Sequence, residues 1–99
     1  MKRVRLDLNN VVFQEAWFAL EKVEALQVFA SLRKISRLTW DELYRDRGLR
    51  WEAIESRTAL GGQRLYSFRV TQKTRAVALR DGDFLRLQNV HPDHDSAYP

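Results

Sequence analysis

An α+β fold is predicted, with an N-terminal strand, a helical hairpin and then a three- to four-stranded antiparallel sheet carrying its helices on one face. Three observations predict it. Val4, Leu6 and Leu8 alternate with Arg5 and Asp7, the period-two pattern of a half-buried strand. From Val11 to about Leu38 the chain contains neither Gly nor Pro and is built mostly of good helix formers. Beyond Arg64 three strand-like runs follow, and Asp81-Gly82 joins the last two. Helices that follow one strand and precede a run of antiparallel strands segregate to one side of the sheet.

Each element has its own signals. Asn9-Asn10 breaks the first strand and offers an N-cap to the helical block. Phe13, Trp17 and Leu20 share one helix face, and Val28, Leu32 and Ile35 continue an apolar stripe after a change of phase near Lys22 to Ala25. Two helices or one kinked helix both fit that pattern. Thr39-Trp40-Asp41-Glu42 has capping-box spacing, so a short helix is expected from Trp40 to about Arg47, stopped by Gly48. Trp51 to Ser56 reads as a strand, and Ala59 to Gln63, with Gly61-Gly62, as a loop.

Asp81-Gly82 suits a two-residue type I′ turn, because both residues tolerate positive φ. That turn would pair Arg80 with Asp83, Ala78 with Leu85, Ala76 with Leu87 and Arg75 with Gln88. Cross-strand partners share a face. Ala76, Ala78, Leu85 and Leu87 then form a core face with Tyr66, Phe68 and Val70. Arg69, Arg75 and Arg86 fall on the opposite face, which becomes the candidate functional surface.

Ninety-nine residues suit a single domain spanning 1–99. Apolar residues make up 44% and charged residues 30%, as in ordinary soluble proteins. The absence of cysteine excludes disulfides and thiolate metal sites. No apolar run reaches the roughly 18 residues of a membrane span, and the start lacks the apolar core of a signal peptide. A cytoplasmic setting is therefore expected. A net charge of +4 and a pI near 9.9 favour acidic or polyanionic partners. Gly61-Gly62 lacks the Lys and Ser/Thr of a phosphate-binding P-loop.

The segment Leu65-Tyr66-Ser67-Phe68-Arg69-Val70, the turn to Arg75-Ala76-Val77, the DG hairpin and the tail ending in Tyr98 resemble the RelE/ParE superfamily of bacterial toxins. The resemblance implies a strand, a helical hairpin and an antiparallel sheet. It also implies the toxin of a type II toxin–antitoxin system: an endoribonuclease that cuts messenger RNA, often on the ribosome, with no metal or other cofactor. Carried over residue by residue, Arg69 matches a basic position on the strand after the loop, Arg75 matches the Arg that opens the next strand and holds phosphate, and Tyr98 matches the terminal Tyr that stacks or transfers a proton. Arg69 and Arg75 together are expected to bind the scissile phosphate. His94 stands where relatives often carry Arg, and its ordinary pKa of about 6.5 suits acid–base work near neutrality. Ser67, Lys73, Arg86 and His91 are expected to contact RNA, and Asp95 to orient His94. An antitoxin is implied as protein partner, an acidic or amphipathic segment laid over the helices and sheet. The ParE branch instead inhibits DNA gyrase by protein contact, and degenerate members bind only their antitoxin.

Each candidate also has a plainer role. Arg69 and Arg75 can pair with Glu52, Glu55 or Asp83 across the sheet, and Tyr98 can dock the terminus. The sequence His91-Pro92-Asp93-His94-Asp95 can be a simple turn. Its ligand types would also suit zinc or manganese, but it lacks a fixed helical spacing such as HExxH.

Overall fold

The computed structural model describes residues 2–59 and 61–92, with the backbone alone at Arg57. The elements run β1 (Arg5–Asp7), α1 (Val11–Phe18), α2 (Lys22–Ile35), α3 (Trp40–Arg45), β2 (Glu52–Thr58), β3 (Arg64–Arg69), β4 (Arg75–Asp81) and β5 (Phe84–His91). The fold is α+β, with three helices and one five-stranded sheet in the order β1-β5-β4-β3-β2.

The expected all-antiparallel sheet of three or four strands needs correction. Strand β1 joins as a fifth strand and runs parallel to β5, with Leu6 opposite Leu85. Alternation marks β1 as a strand but carries no information on its partner's direction. The helices between β1 and the remaining strands supply the long crossover that a parallel pair requires.

Local chemistry sets the helix ends. Asn10 caps α1, its Oδ1 accepting from the Phe13 amide at 3.0 Å. The helical block forms two helices, and the Trp17 Nε1 donates to the Ala25 carbonyl at 3.0 Å to tie them together. Thr39 and Glu42 form the expected capping box on α3. That helix stops at Arg45, two residues early, because Asp46 leaves helical geometry. The Asp46 carboxylate accepts from the Leu49 amide at 2.9 Å and meets Lys34 at 3.0 Å. Arg50 then takes positive φ, so the left-handed turn falls there and not at Gly48.

The main core lies between the helices and one sheet face. Phe13, Val28, Leu32, Ile35, Trp40 and Leu43 pack on Phe68, Ala76, Ala78, Leu85, Leu87 and Val90. Trp51 bridges the two layers. It stacks on Tyr66 at 4.8 Å and meets the edge of Trp40 at 5.7 Å.

The β4–β5 register also differs from expectation. Asp81 pairs with Phe84, so Gly82 and Asp83 form the turn, and only Gly82 takes positive φ. Glycine alone at the first central position is the pattern of a type II′ turn. Relative to the expected pairing, the β4 residues from Ala78 onward meet β5 residues two places further on: Ala78 faces Leu87, not Leu85. A two-residue shift preserves side-chain parity, so the division into faces survives. A bulge between Leu87 and Asn89 then reverses parity, placing Val90 in the core and His91 opposite Arg75.

The Asp46 carboxyl feels opposing influences. Burial pushes its pKa up, but the Lys34 ammonium and the amides of Leu49 and Gly48 outweigh burial, leaving it below its ordinary 3.8. A depressed folded-state pKa stabilises the fold above the unfolded value, and that contribution disappears as pH falls through the folded value. Asp46→Asn is expected to cost about 1 kcal/mol in urea unfolding at neutral pH. Its stability should converge on that of the parent once pH has fallen through the depressed folded-state value of Asp46.

Candidate functional site

Strand alternation turns Arg69, Arg75 and Arg86 away from the helices, because their neighbours Phe68, Ala76, Leu85 and Leu87 are core residues. Arg69 pairs with Arg75 and Arg75 with His91, so these three residues lie in one row across β3, β4 and β5. Ser67, Val77 and Asn89 form the adjacent row, which Glu52 extends on β2.

The three guanidiniums differ in availability. Arg75 is only 8% exposed. Its Nη2 donates to Ser67 Oγ at 2.8 Å and to Glu52 Oε1 at 3.2 Å, and approaches the Arg50 carbonyl at 3.5 Å. The left-handed backbone at Arg50 thus presents a carbonyl to a buried cation. The Arg75 Nε is also buried and finds no hydrogen-bond partner among the described residues. Arg86 is held by Asp81 at 2.9 Å and Asp7 at 3.5 Å. Arg69 is half-buried, and its amide donates to the Leu49 carbonyl at 2.6 Å. No ion pair involves its side chain among the described residues.

Ser67, expected to contact RNA, is instead fully buried, its hydroxyl accepting from Arg75. In that position it orients a guanidinium and has no surface to offer a ligand. Lys73 is exposed in the β3–β4 turn, and His91 is half-buried at the end of β5. His94, Asp95 and Tyr98, together with the His/Asp turn beyond Pro92, lie outside the described residues. Among the described residues no three His, Cys, Asp or Glu side chains gather as a metal site.

Two features of this face were not singled out as site residues in the sequence. Glu52 was expected only as a pairing partner, yet it brings a half-exposed carboxylate to the buried Arg75. Asn89 reaches the row through the β5 bulge, which has no signature in the sequence. Val77 and Leu79 are buried on this face, outside the main core cluster, so the surface is less purely cationic than its arginines suggest.

The opposite side of the molecule presents a second surface. Phe18 is 74% exposed, and Leu26 and Phe29 are each more than half exposed. Together with Trp17 and Ala25 they line an apolar cleft of about 370 Å³ along the helical hairpin. An adjoining groove of about 550 Å³ continues over Ala30 to Arg33, Lys34 and Arg37. An apolar stripe ending in three cations, of which Lys34 also pairs with Asp46, is an amphipathic helix face that no other element covers among the described residues.

No protein-family model matches the chain, and no curated protein matches it in sequence. Among solved structures it is similar to a copper-bound mutant toxin from Helicobacter pylori, at 17% identity and a TM-score of 0.53, over 97% of this chain and 98% of that one. At that identity the likeness is one of fold. The architecture is therefore shared with a bacterial toxin along nearly its whole length.

The buried hydrogen bond between Ser67 and Arg75 makes a direct prediction. Ser67→Ala leaves a buried guanidinium short of an acceptor, at an expected cost on the order of 1.5–3 kcal/mol. Thermal unfolding should show a fall of several degrees in Tm. An unchanged Tm would mean that Glu52 and the Arg50 carbonyl suffice to hold Arg75.

Proposed function

We propose that the chain is the toxin of a type II toxin–antitoxin pair, RelE-like in fold, acting in the cytoplasm as an endoribonuclease on messenger RNA, often at the ribosome. The observation that carries this reading is the row Arg69–Arg75–His91, set across neighbouring strands on the face that the helices leave open. The fold shared with a bacterial toxin supports it.

Cleavage by a ribose 2′-hydroxyl requires a proton acceptor, a proton donor for the leaving 5′-oxygen and cations for charge growing on phosphorus. In this reading Arg69 meets the phosphate first, having no competing carboxylate among the described residues. Arg75 exchanges its contact with Glu52 for a phosphate oxygen as negative charge develops. Glu52, freed at that moment and next to the row, accepts the 2′-hydroxyl proton. His94 and Tyr98 are assigned proton donation and base stacking, with Asp95 orienting His94. Lys73, Arg86 and His91 are assigned to RNA on either side.

Induced expression with mapping of messenger RNA 5′ ends tests the assignment. The parent should generate new ends and arrest growth. Arg69→Ala, Glu52→Gln and His94→Ala should each lower cleavage about 10²- to 10⁴-fold while the fold survives. Arrest accompanied by DNA-damage signalling and no new RNA ends would favour inhibition of gyrase by protein contact. The burial of Arg75 in an ion pair lends that second reading some weight, since a neutralised cation suits a structural role.

The helical face is assigned to the antitoxin. Its anchors at Leu26, Phe29 and Ala30 recur at helical spacing, and Arg33, Lys34 and Arg37 follow them. This pattern suits an acidic amphipathic helix laid in a groove. Phe29→Glu should abolish co-purification with the product of a neighbouring short open reading frame and leave the far-ultraviolet circular dichroism unchanged. Retained co-purification would place the antitoxin elsewhere.

A further inference from the structure

On the open face, some distance from the Arg69–Arg75–His91 row, Leu65 and Leu79 form the floor of a cleft of about 320 Å³. Its rim carries Gln63, Asp81, Arg86 and Gln88. We propose that this cleft is a nucleobase pocket, selective for bases that carry an exocyclic amino group. Its position along an RNA strand rests on the nuclease reading above; its ligand chemistry does not.

Charge excludes an anion as the occupant. The Arg86 guanidinium is already shared between Asp81 at 2.9 Å and Asp7 at 3.5 Å, so two carboxylates face one cation. The one cation lining the cleft is thus already compensated by carboxylates, and a phosphate placed here would find no free positive charge. A wholly apolar ligand is excluded as well, because it would strip water from two amides and a carboxylate with no compensating hydrogen bonds. What remains is a flat, neutral molecule with an apolar face and a hydrogen-bonding edge. A base fits: its ring lies on Leu65 and Leu79, and its edge meets the rim.

The rim groups determine which base. The Gln88 Nε2 is turned to the carbonyls of Arg86 and Leu87, both at 3.3 Å, and its Oε1 accepts no hydrogen bond among the described residues. Asp81 is well exposed, although one of its oxygens contacts Arg86. The rim therefore offers acceptors at Gln88 and Asp81, beside one buried donor, the Arg86 Nε, that has no hydrogen-bond partner among the described residues. Acceptors suit the amino groups of guanine, adenine and cytosine and leave uracil the poorest match.

The place in the fold is suitable too. Arg75 and Leu79 lie on the same face of β4, four residues apart and so roughly 13 Å at the usual strand rise. A single strand with its phosphate on Arg69 and Arg75 that follows β4 delivers a neighbouring base to the cleft. Arg86 and Asp81, fixed by their ion pair, give that base a preorganised wall.

The experiment uses the full chain, isotope-labelled, titrated separately with AMP, GMP, CMP, UMP and inorganic phosphate. The signals followed are the side-chain amides of Gln63 and Gln88 and the methyl groups of Leu65 and Leu79. Saturable shifts are expected with AMP, GMP and CMP. UMP should bind roughly tenfold more weakly, the worth of about one hydrogen bond, and phosphate should leave these signals unmoved. Asp81→Asn, which replaces one acceptor oxygen by a donor, should narrow the discrimination. Gln63→Ala, in an exposed loop, should weaken all three amino-bearing bases and serves as the second variant should Asp81→Asn disturb the Arg86 clasp. Absence of saturable shifts at these residues, equal response to UMP, or the same shifts from phosphate would each overturn the proposal. The readout is independent of cleavage: base-selective shifts in a protein that generates no RNA ends would retain the pocket and discard the nuclease.

Discussion

The alternation of side chains along β3, β4 and β5, reset in β5 by the bulge at Gln88, governs the remainder of the molecule. Burying Phe68, Ala76, Ala78, Leu85 and Leu87 under three helices leaves the intervening residues no place except the opposite side. The hydrophobic effect thus acts on one face and positions the charged groups on the other. Arg69, Arg75 and Arg86 are not drawn to a common surface by mutual attraction; they repel one another. They share it because their neighbours in sequence are core residues.

That arrangement carries a cost, which the structure meets in different ways at each arginine. Arg75 sits deepest and is surrounded by a hydroxyl, a carboxylate and a main-chain carbonyl. Such a buried cation is expensive to desolvate and strongly destabilising when deprived of its partners, so the contacts around it specify geometry more than they add stability. Arg86 is neutralised by two carboxylates and clasps β1 to the sheet. Arg69 alone keeps its charge without an ion-pair partner among the described residues. The open face therefore grades from a committed cation to an available one.

Much of this was legible in the sequence, and the exceptions have physical causes. The Asn10 cap, the Thr39–Glu42 capping box and the two faces of β4 follow from local chemistry, and local chemistry is what a sequence displays. The hairpin turn was assigned to Asp81-Gly82 because that pair suits type I′ geometry. The protein instead uses Gly82-Asp83, and the face assignment survived only because the slip was even. The bulge beside Gln88 was invisible, since it arises from fitting β5 between two neighbours. The parallel pairing of β1 and the burial of Ser67 are likewise tertiary outcomes. For the candidate site, the sequence identified Arg69 and Arg75 and offered Glu52 as a pairing partner, but it could not show that Ser67 and Glu52 would share one guanidinium between them. The tail residues His94, Asp95 and Tyr98 belong to the proposal and not to the described fold.

The strand order has one more implication, for how the chain reaches its final form. The fifth strand in sequence is an interior member of the sheet, flanked by the first and the fourth. Until those residues leave the ribosomal exit tunnel, the N-terminal strand has nothing to pair with and the helices have only part of a floor to rest on. Closure must wait for contacts between the two ends of the described chain, the kind of long-range pairing that slows folding. The fold is therefore committed only once β5 has emerged.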